Sequence, residues 1–362
     1  MRKLKNYLDS LCESGIPYID VLAHIEGKPL CRETVGQGAV GEESLFIYSL
    51  TKPLTVTLIM RLIEEGVIGL WDRVQKYIPE FGDVFLLENG VERKSGTAPT
   101  VYHLLTMSAG LSYDWEGYGV YEAIENRGEK SPTVAAMSAL SRLPLMCEVG
   151  TKMNYGLSHD VLGAIAEIAT GKKFSRLMSE YILEPLGMDK TRFSGVGEEP
   201  VFDIYTAKSD GRIVPSKKTN AFTFSEGYES GGAGLISTVN DYMKFADMLA
   251  LGGISPDGVR ILSEASVREI YTPRFGSVTV GGNYSCIQGE GYGYGLGVRT
   301  RMIETQWGLP VGEFGWDGAA GSYLMVDPVN KISVVVGMHL KNWPAVFEGK
   351  HLEIVKKIYE DL

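Results

Sequence analysis

A serine and a lysine three residues apart, Ser49 and Lys52, are the first residues of the chain whose types and spacing could do covalent chemistry. A serine hydroxyl is a weak nucleophile and needs a neighbouring group to activate it. Pro53 follows directly, and proline fits the first turn of a helix, where its missing N–H costs nothing. The spacing therefore predicts that Ser49 begins a helix, with the lysine amine beside its hydroxyl and unpaired backbone N–H groups nearby. Desolvation in an apolar first turn would lower the pKa of that lysine and make it a usable base.

Two further segments carry residues that could complete such a site. Tyr155 precedes an apolar helical segment, and a tyrosinate stabilised by a lysine can act as a general base. The glycine-rich residues 314–323 enter a strand. There Gly318 would let a substrate approach closely, and a backbone N–H beside it could stabilise an oxyanion. Taken alone, each segment is also typical of ordinary packing.

Other patterns in the chain point away from familiar sites. Residues 36–41 match GxGxxG, but a strand-like run follows them instead of the helix that a dinucleotide site needs, so they indicate a turn. The chain has no HExxH, Walker A or GxSxG motif. A histidine-based triad is disfavoured, because His159 and Asp160 are neighbours on a predicted helix and do not face each other. His103 is interpreted as a structural residue.

The cysteines favour neither a metal site nor a disulfide framework, because they are far apart, without CxxC or zinc-ligand spacing. They are predicted to be free thiols. The four are Cys12, Cys31, Cys147 and Cys286. We therefore expect no metal and no cofactor.

Length and charge narrow the class of protein. The 362 residues suggest two domains, or one large domain with an insertion. A net charge of −10 argues against a nucleic-acid partner, which would require a basic face. No apolar run approaches the roughly 20 residues of a membrane span, and no apolar region follows the basic start of the chain as in a signal peptide. A cytoplasmic protein with a small-molecule substrate is the expectation, and the pattern does not determine its oligomeric state.

The elements that must hold the candidate residues are strands near both ends of the chain and helices between them. The resulting prediction is an α+β fold with an antiparallel sheet flanked by the N- and C-terminal helices. The sheet domain would comprise residues 1–70 and 231–362, and a mainly helical domain residues 71–230, with the site at their interface. Strands are predicted at 18–25, 30–35, 45–48, 291–300, 322–326 and 332–340, a helix at 49–65, and a terminal helix at 344–359.

Taken together and in this order, the segments resemble the serine β-lactamase and penicillin-binding-protein-like superfamily, in its class C β-lactamase and esterase branch. The resemblance implies that Ser49 is the acylated nucleophile and that Lys52 polarises it and shares its proton. It implies further that Tyr155 is the general base for acylation and helps to activate the deacylating water. The backbone N–H groups of Ser49 and Ala319 would form the oxyanion hole. The matching segments are residues 46–53, 101–111, 155–163, 231–238 and 314–328.

The departures from the β-lactamase pattern concern the substrate. β-Lactamases of this branch carry Tyr-x-Asn and Lys-Thr-Gly, where this chain has Leu157 and the sequence Trp316-Asp317-Gly318. These four residues are predicted to line the substrate site. Leu157 cannot bind a substrate amide, Trp316 would offer an apolar wall, and Asp317 would repel a carboxylate. Both changes resemble the esterase members, so a carboxylesterase for small acyl esters is predicted. The alternatives are a β-lactamase or D-amino-acid peptidase or amidase of the same superfamily, and a non-catalytic penicillin-binding-like protein.

Overall fold

The computed structural model of the protein describes residues 1–36, 38, 40–116, 119–275, 291–343 and 349–362. Its strands are β1 Tyr18–Ile25, β2 Lys28–Gly36, β3 Leu45–Phe46, β4 Phe85–Glu88, β5 Val91–Lys94, β6 Arg192–Phe193, β7 Tyr205–Ala207, β8 Ile213–Pro215, β9 Leu235–Ser237, β10 Tyr292–Tyr294, β11 Arg299–Arg301, β12 Phe314–Asp317, β13 Tyr323–Asp327, β14 Ile332–Gly337 and β15 Leu340–Lys341. Seven of them form the main sheet in the order β10-β11-β12-β13-β14-β1-β2, with every adjacent pair antiparallel.

The helices lie at both ends of the chain and between its two groups of strands. They are α1 Arg2–Glu13, α2 Thr51–Glu64, α3 Val101–Leu105, α4 Val120–Glu125, α5 Pro132–Ala139, α6 Ser158–Thr170, α7 Phe174–Met178, α8 Glu184–Leu186, α9 Val239–Ala250, α10 Glu264–Tyr271 and α11 Lys350–Tyr359. None of the helices in the described part of the chain combines the length and the apolar character that a membrane crossing requires.

The main sheet is buried on both faces, which explains the continuous apolar run of β14. Val334 and Val336 pack in the cluster that also holds buried side chains of α1 and α11, whereas Val335 belongs to the larger cluster on the other face. This division follows the two-residue period of a strand. The predicted α+β fold with terminal helices against an antiparallel sheet is therefore confirmed.

The segment before α2 differs from its prediction. The strand ends at Phe46, and Ser49 lies in a short 3₁₀ turn, Tyr48–Leu50, so the α-helix itself begins only at Thr51. Tyr48 has φ +45°, a left-handed conformation that is uncommon for a bulky residue. The chain thus reverses sharply just before Ser49, a bend that hydrophobic periodicity cannot reveal.

The predicted single strand at 291–300 is instead a hairpin. Strands β10 and β11 pair with each other, and the turn between them contains Gly297 with φ +71°. A side-chain carbon on Gly297 would lie 2.5 Å from Val56 and 2.7 Å from His159 Nε2. The alternating glycines and tyrosines resemble one strand in the sequence, but the backbone must turn there to pack against α2 and α6.

The proposed domain boundaries at residues 70 and 230 remain a prediction, and the segment between them is not wholly helical. It contains the hairpins β4-β5 and β7-β8. Its strand β6 pairs with β9, and β7 pairs in parallel with β15, so hydrogen bonds connect it to the flanking segments. The last helix begins at Lys350, and the predicted start of that helix, residues 344–348, lies outside the described residues.

Candidate active site

Two hydrogen bonds from distant parts of the chain hold the turn that carries Ser49. The Tyr242 hydroxyl donates to the Leu50 carbonyl at 2.7 Å, and the Leu235 backbone N–H donates to Thr51 Oγ1 at 3.1 Å. Within this frame Lys52 is completely buried and Ser49 is half-buried. Ser49 is therefore the member of the pair that a substrate can reach.

The predicted contact between the serine and the lysine is confirmed. Lys52 Nζ donates to Ser49 Oγ at 3.0 Å. It also donates to the Gly232 carbonyl at 2.7 Å and to the Tyr113 hydroxyl at 3.2 Å. Tyr113 was missed by the sequence analysis, because no spacing connects residue 113 with residue 52.

Tyr155 lies beside Lys52 in the loop that precedes α6. The Lys52 ammonium stands over the Tyr155 ring, 4.7 Å from its centre. The loop is held by Asn154, whose side chain donates to the Leu111 carbonyl at 2.7 Å. Gly156 is also required, because a side-chain carbon there would lie 2.3 Å from the Leu111 carbonyl oxygen. The three residues predicted to be catalytic, Ser49, Lys52 and Tyr155, thus come together in one place.

Trp316 does not form the predicted apolar wall. Its side chain is buried, with only 1% exposed, and its indole N–H donates to the Tyr155 hydroxyl at 3.1 Å. The tryptophan therefore supplies a neutral hydrogen-bond donor to the phenol oxygen. A donor to that oxygen favours the phenolate over the phenol.

The prediction for Asp317 is wrong. Successive residues of a strand point to opposite faces, so Asp317 lies on the far side of β12 from Trp316. There its carboxylate pairs with Arg299 at 3.3 Å and with His351 Nδ1 at 3.4 Å. A carboxylate held in this way does not line the substrate site.

Leu157 and Gly318 also differ from their expected roles at the substrate. Leu157 is completely buried in the hydrophobic core at the start of α6. A side-chain carbon on Gly318 would lie 2.5 Å from the Ile47 carbonyl oxygen. The glycine thus allows the end of β12 to approach the turn that carries Ser49, rather than allowing a substrate to approach. The next residue, Ala319, is exposed.

An aromatic wall extends from Tyr113 towards solvent. We use this name for Tyr113, Trp115, Phe222 and Phe224. The ring centres of Tyr113 and Phe222 are 5.5 Å apart, and those of Trp115 and Phe224 are 4.9 Å apart. Tyr113, Trp115 and Phe222 are only half-buried, so the wall presents aromatic surface beside Lys52. The sequence analysis did not find this wall, since its members come from two loops distant in the chain.

Two buried titratable groups follow Tyr155 on α6. Burial lowers the pKa of His159 well below its usual value, and the charge of Lys52 lowers it further, so the imidazole is neutral. Burial raises the pKa of Asp160, whereas hydrogen bonds from Ser230 and Tyr228 and the charge of Lys52 oppose this rise. The Asp160 carboxylate contacts those hydroxyls and not His159. The pair therefore has no triad geometry.

The described ranges contain no group of three or more His, Cys, Asp or Glu side chains that is arranged to bind a metal ion. Cys12, Cys31 and Cys147 are free thiols. Cys286 lies outside the described residues, as do Gln37 and Ala39 of the 36–41 glycine motif.

Comparison with known proteins identifies relatives along most of the chain. The model of the Beta-lactamase family matches residues 26–355. Protein Rv1367c of Mycobacterium tuberculosis is 30% identical over 332 residues, which cover 86% of this chain and 78% of that protein. Esterase EstB of Burkholderia gladioli is 27% identical over 323 residues, covering 82% of this chain and 77% of that protein.

A solved structure agrees with this similarity at the level of the fold. The structure of EstCE1, described as a hydrolase with promiscuous acyltransferase activity, has a TM-score of 0.78 at 22% identity and covers 99% of this chain and 98% of that one. The superfamily contains serine hydrolases and acyltransferases. Since the family model matches residues 26–355, which is most of the chain, the protein belongs to the Beta-lactamase family.

Proposed function

We propose that the protein is a serine hydrolase that forms an acyl-enzyme on Ser49 and acts as a carboxylesterase on small acyl esters. The observation that carries this proposal is the hydrogen bond from Lys52 Nζ to Ser49 Oγ, with Tyr155 against the same ammonium group. Similarity to an esterase, EstB, supports the choice of substrate class.

The reaction follows from the roles of these groups. Tyr155 takes the proton of Ser49 as general base while Oγ attacks the acyl carbon, and the Lys52 ammonium stabilises the developing negative charge. The backbone N–H groups of Ser49 and Ala319 would stabilise the oxyanion of the tetrahedral intermediate. Its collapse breaks the ester C–O bond, and the proton returns from Tyr155 to the departing alcohol. In the second half, Tyr155 takes a proton from water as the water oxygen attacks the acyl carbon. The bond from that carbon to Ser49 Oγ then breaks, the acid is released, and the proton passes from Tyr155 to Ser49 Oγ.

The contacts of Tyr155 support esters over β-lactams. At the position where β-lactamases carry the lysine of Lys-Thr-Gly, Trp316 offers a neutral N–H that is already donated to Tyr155. Leu157 is buried and apolar at the position of the amide-binding asparagine. Each hydrogen bond lost to a charged group costs about 1.5–3 kcal/mol, so a β-lactam should be at least about 10²-fold less reactive than a good ester.

The aromatic wall supports an apolar acyl or alcohol group in the substrate. Aromatic rings provide a large contact area to such groups and favour them over charged ones. Phe222→Ala should therefore raise KM for p-nitrophenyl phenylacetate more than for p-nitrophenyl acetate. An equal effect on the two esters would show that the aromatic wall does not contact the substrate. It would not affect the assignment of Ser49 as the nucleophile.

The test of the function is a kinetic panel of p-nitrophenyl esters, nitrocefin and D-aminoacyl anilides, with Ser49→Ala as the inactive reference. Esters should be hydrolysed, and a fluorophosphonate should give one adduct, on Ser49. An adduct on Ser108, Ser158 or Ser322 instead would contradict the assignment. Faster turnover of nitrocefin than of the esters would identify the protein as a β-lactamase. Faster turnover of the anilides would identify it as a D-amino-acid peptidase or amidase. No labelling and no turnover would favour a non-catalytic binding protein.

A further inference from the structure

Asp160, on α6, is a buried carboxylate that the proposed reaction does not use. Only 1% of the residue is exposed. Its Oδ1 accepts hydrogen bonds from the Tyr228 hydroxyl at 2.9 Å and from the Ser230 hydroxyl at 2.5 Å. Burial raises the pKa of this carboxyl, and both hydrogen bonds oppose that rise and favour the ionised form. The two hydroxyls carry no charge, however, so they do not balance the negative charge of a buried carboxylate.

The other carboxylate oxygen faces the site across Gly232. A side-chain carbon on Gly232 would lie 2.5 Å from Asp160 Oδ2 and 3.5 Å from Lys52 Nζ. The two charged groups are therefore within about 6 Å of each other, a range in which opposite charges favour each other's ionised form. Oδ2 makes no side-chain hydrogen bond within the described ranges, and a hydrogen bond from the Gly232 backbone N–H to the carboxylate also favours the ionised form. The Gly232 carbonyl, which accepts from Lys52 at 2.7 Å, fixes the ammonium on this side.

We propose that Asp160 is a positioning residue for the reaction: across Gly232, its carboxylate keeps Lys52 protonated and directed at Ser49. A protonated lysine can donate to Ser49 Oγ but cannot take its proton. The general base is then Tyr155. The inference rests on the proposed function of Ser49 and Tyr155. It adds that the charge of Asp160 determines whether Lys52 or Tyr155 is the base.

The other titratable groups around Lys52 do not supply this charge. Three of them are Tyr113, Tyr155 and His159. His159 is neutral because of its burial. The phenol of a tyrosine ionises far less readily than a carboxyl group. Tyr155 can therefore become the tyrosinate that acts as base only beside a lysine that another anion already keeps charged, and the Asp160 carboxylate is in position to do so.

The test is the pH dependence of Ser49 labelling by a fluorophosphonate, followed by intact mass, in the wild type and in Asp160→Asn. Asparagine keeps an oxygen for Tyr228 and Ser230 and removes the charge. The alkaline limb of the labelling rate, where Lys52 loses its proton, should move to lower pH by about 1–3 units. Glu167→Gln is the matched control. It lies on the same helix, is also buried and accepts hydrogen bonds from Ser131 and the Phe174 N–H, and it should leave the limb unchanged.

The outcomes separate the two proposals. If Ser49 of the wild type is not labelled at any pH, the proposed function fails. If Ser49 is labelled and the alkaline limb is the same in Asp160→Asn, the function stands and the role of Asp160 is overturned. A purely structural role would lower the amount of folded protein without moving the limb.

A second measurement covers the case in which Asp160→Asn does not fold. In wild-type protein with ¹³C-labelled lysine, the Lys52 signal can be assigned by its loss in Lys52→Met and followed by NMR as the pH is raised. It should remain that of an ammonium up to at least about pH 9, whereas a buried lysine without a counter-charge loses its proton near pH 5–6. Deprotonation below about pH 7 would overturn the inference.

Discussion

The buried cations on the two faces of strand β12 have different kinds of partner. On the face of Trp316, Lys52 donates hydrogen bonds to the hydroxyls of Ser49 and Tyr113 and to the Gly232 carbonyl, which are neutral groups. On the face of Asp317, Arg299 lies 3.3 Å from Asp317 and 3.6 Å from Glu313, so a buried cation directly meets two carboxylates.

The difference shows which buried charges can react. A direct ion pair fixes the protonation state of both groups, because a change in the charge of one group would leave the other as an uncompensated buried charge. Arg299 also lies over the Tyr323 ring at 4.4 Å and donates to the Leu324 carbonyl. Its guanidinium therefore binds groups of the sheet. The site lysine has hydroxyl partners, whose protons can be exchanged. We therefore expect substitutions on the first face to change the rate and those on the second face to change the stability.

The largest effect on rate, apart from loss of the nucleophile, should come from Tyr155→Phe. This change removes the phenol oxygen that would act as general base, and kcat should fall by roughly 10²–10⁴-fold. The melting temperature should change little, since the ring and its packing remain. Stopped-flow measurement of acylation by a p-nitrophenyl ester would isolate the chemical step. Retention of most of the wild-type acylation rate would make Lys52 the base and also contradict the role given to Asp160.

Arg299→Met should act on stability instead. It removes the Arg299 cation from Asp317 and from Glu313, which retains a contact with Arg301 at 3.5 Å. Breaking a buried pair in this way costs about 3–5 kcal/mol in the free energy of unfolding. Urea denaturation measures this loss, and kcat of the protein that remains folded should stay within about tenfold of the wild type. Lys94→Met, which breaks an exposed pair with Asp83, is the control and should have little effect. Equal stability of Arg299→Met and the wild type would contradict the contrast between the two faces.

A smaller effect is expected from acid at His339, which connects strand β3 to a neighbouring loop. The Phe46 N–H donates to His339 Nε2 at 3.1 Å, so Nδ1 carries the proton that faces the Phe202 carbonyl. Burial lowers the pKa of His339 to about 3. The unfolded chain takes up a proton below about pH 6.5 and the folded protein does not. The stabilisation is therefore complete above that pH and decreases as the pH falls, by about 2 kcal/mol at pH 5.

This pH dependence can be assigned by comparing urea unfolding at pH 7 and pH 5 in the wild type and in His339→Gln. The variant lacks the titrating group, so its stability should fall less between the two pH values. The buried, neutral His159 remains in both proteins and contributes equally to both. The same loss of stability in both proteins would show that His339 is not the group responsible.

The smallest effect should come from Trp316→Phe. It removes one neutral hydrogen bond to Tyr155, a contribution of about 0.5–1.5 kcal/mol, so kcat should fall by about 2- to 10-fold. Trp71→Phe, at an exposed tryptophan stacked on Tyr102, is the control and should not change kcat. A loss as large as that of Tyr155→Phe would show that the indole does more than donate one hydrogen bond.

The sequence by itself determined the local parts of this protein. The three-residue spacing of Ser49 and Lys52 predicted their contact, because residues at i and i+3 meet on any helical turn. The run at 332–340 predicted the strand that forms β14, and the strands at both ends of the chain predicted the sheet with its terminal helices. These features depend on neighbours in the chain, so the residue order is sufficient to show them.

The tertiary structure alone decided what surrounds those parts. Only the fold brings Trp316 to Tyr155, 161 residues earlier in the chain, and turns the adjacent Asp317 to the opposite face of the sheet. Only the fold places Tyr113 against Lys52, and Asp160 on the other side of Gly232 from the same ammonium. Contacts between distant residues depend on strand register and on loop paths, and neither has a period that a sequence displays. The pattern along the chain therefore indicates which residues could react, whereas the packing between distant segments sets their charges and their partners.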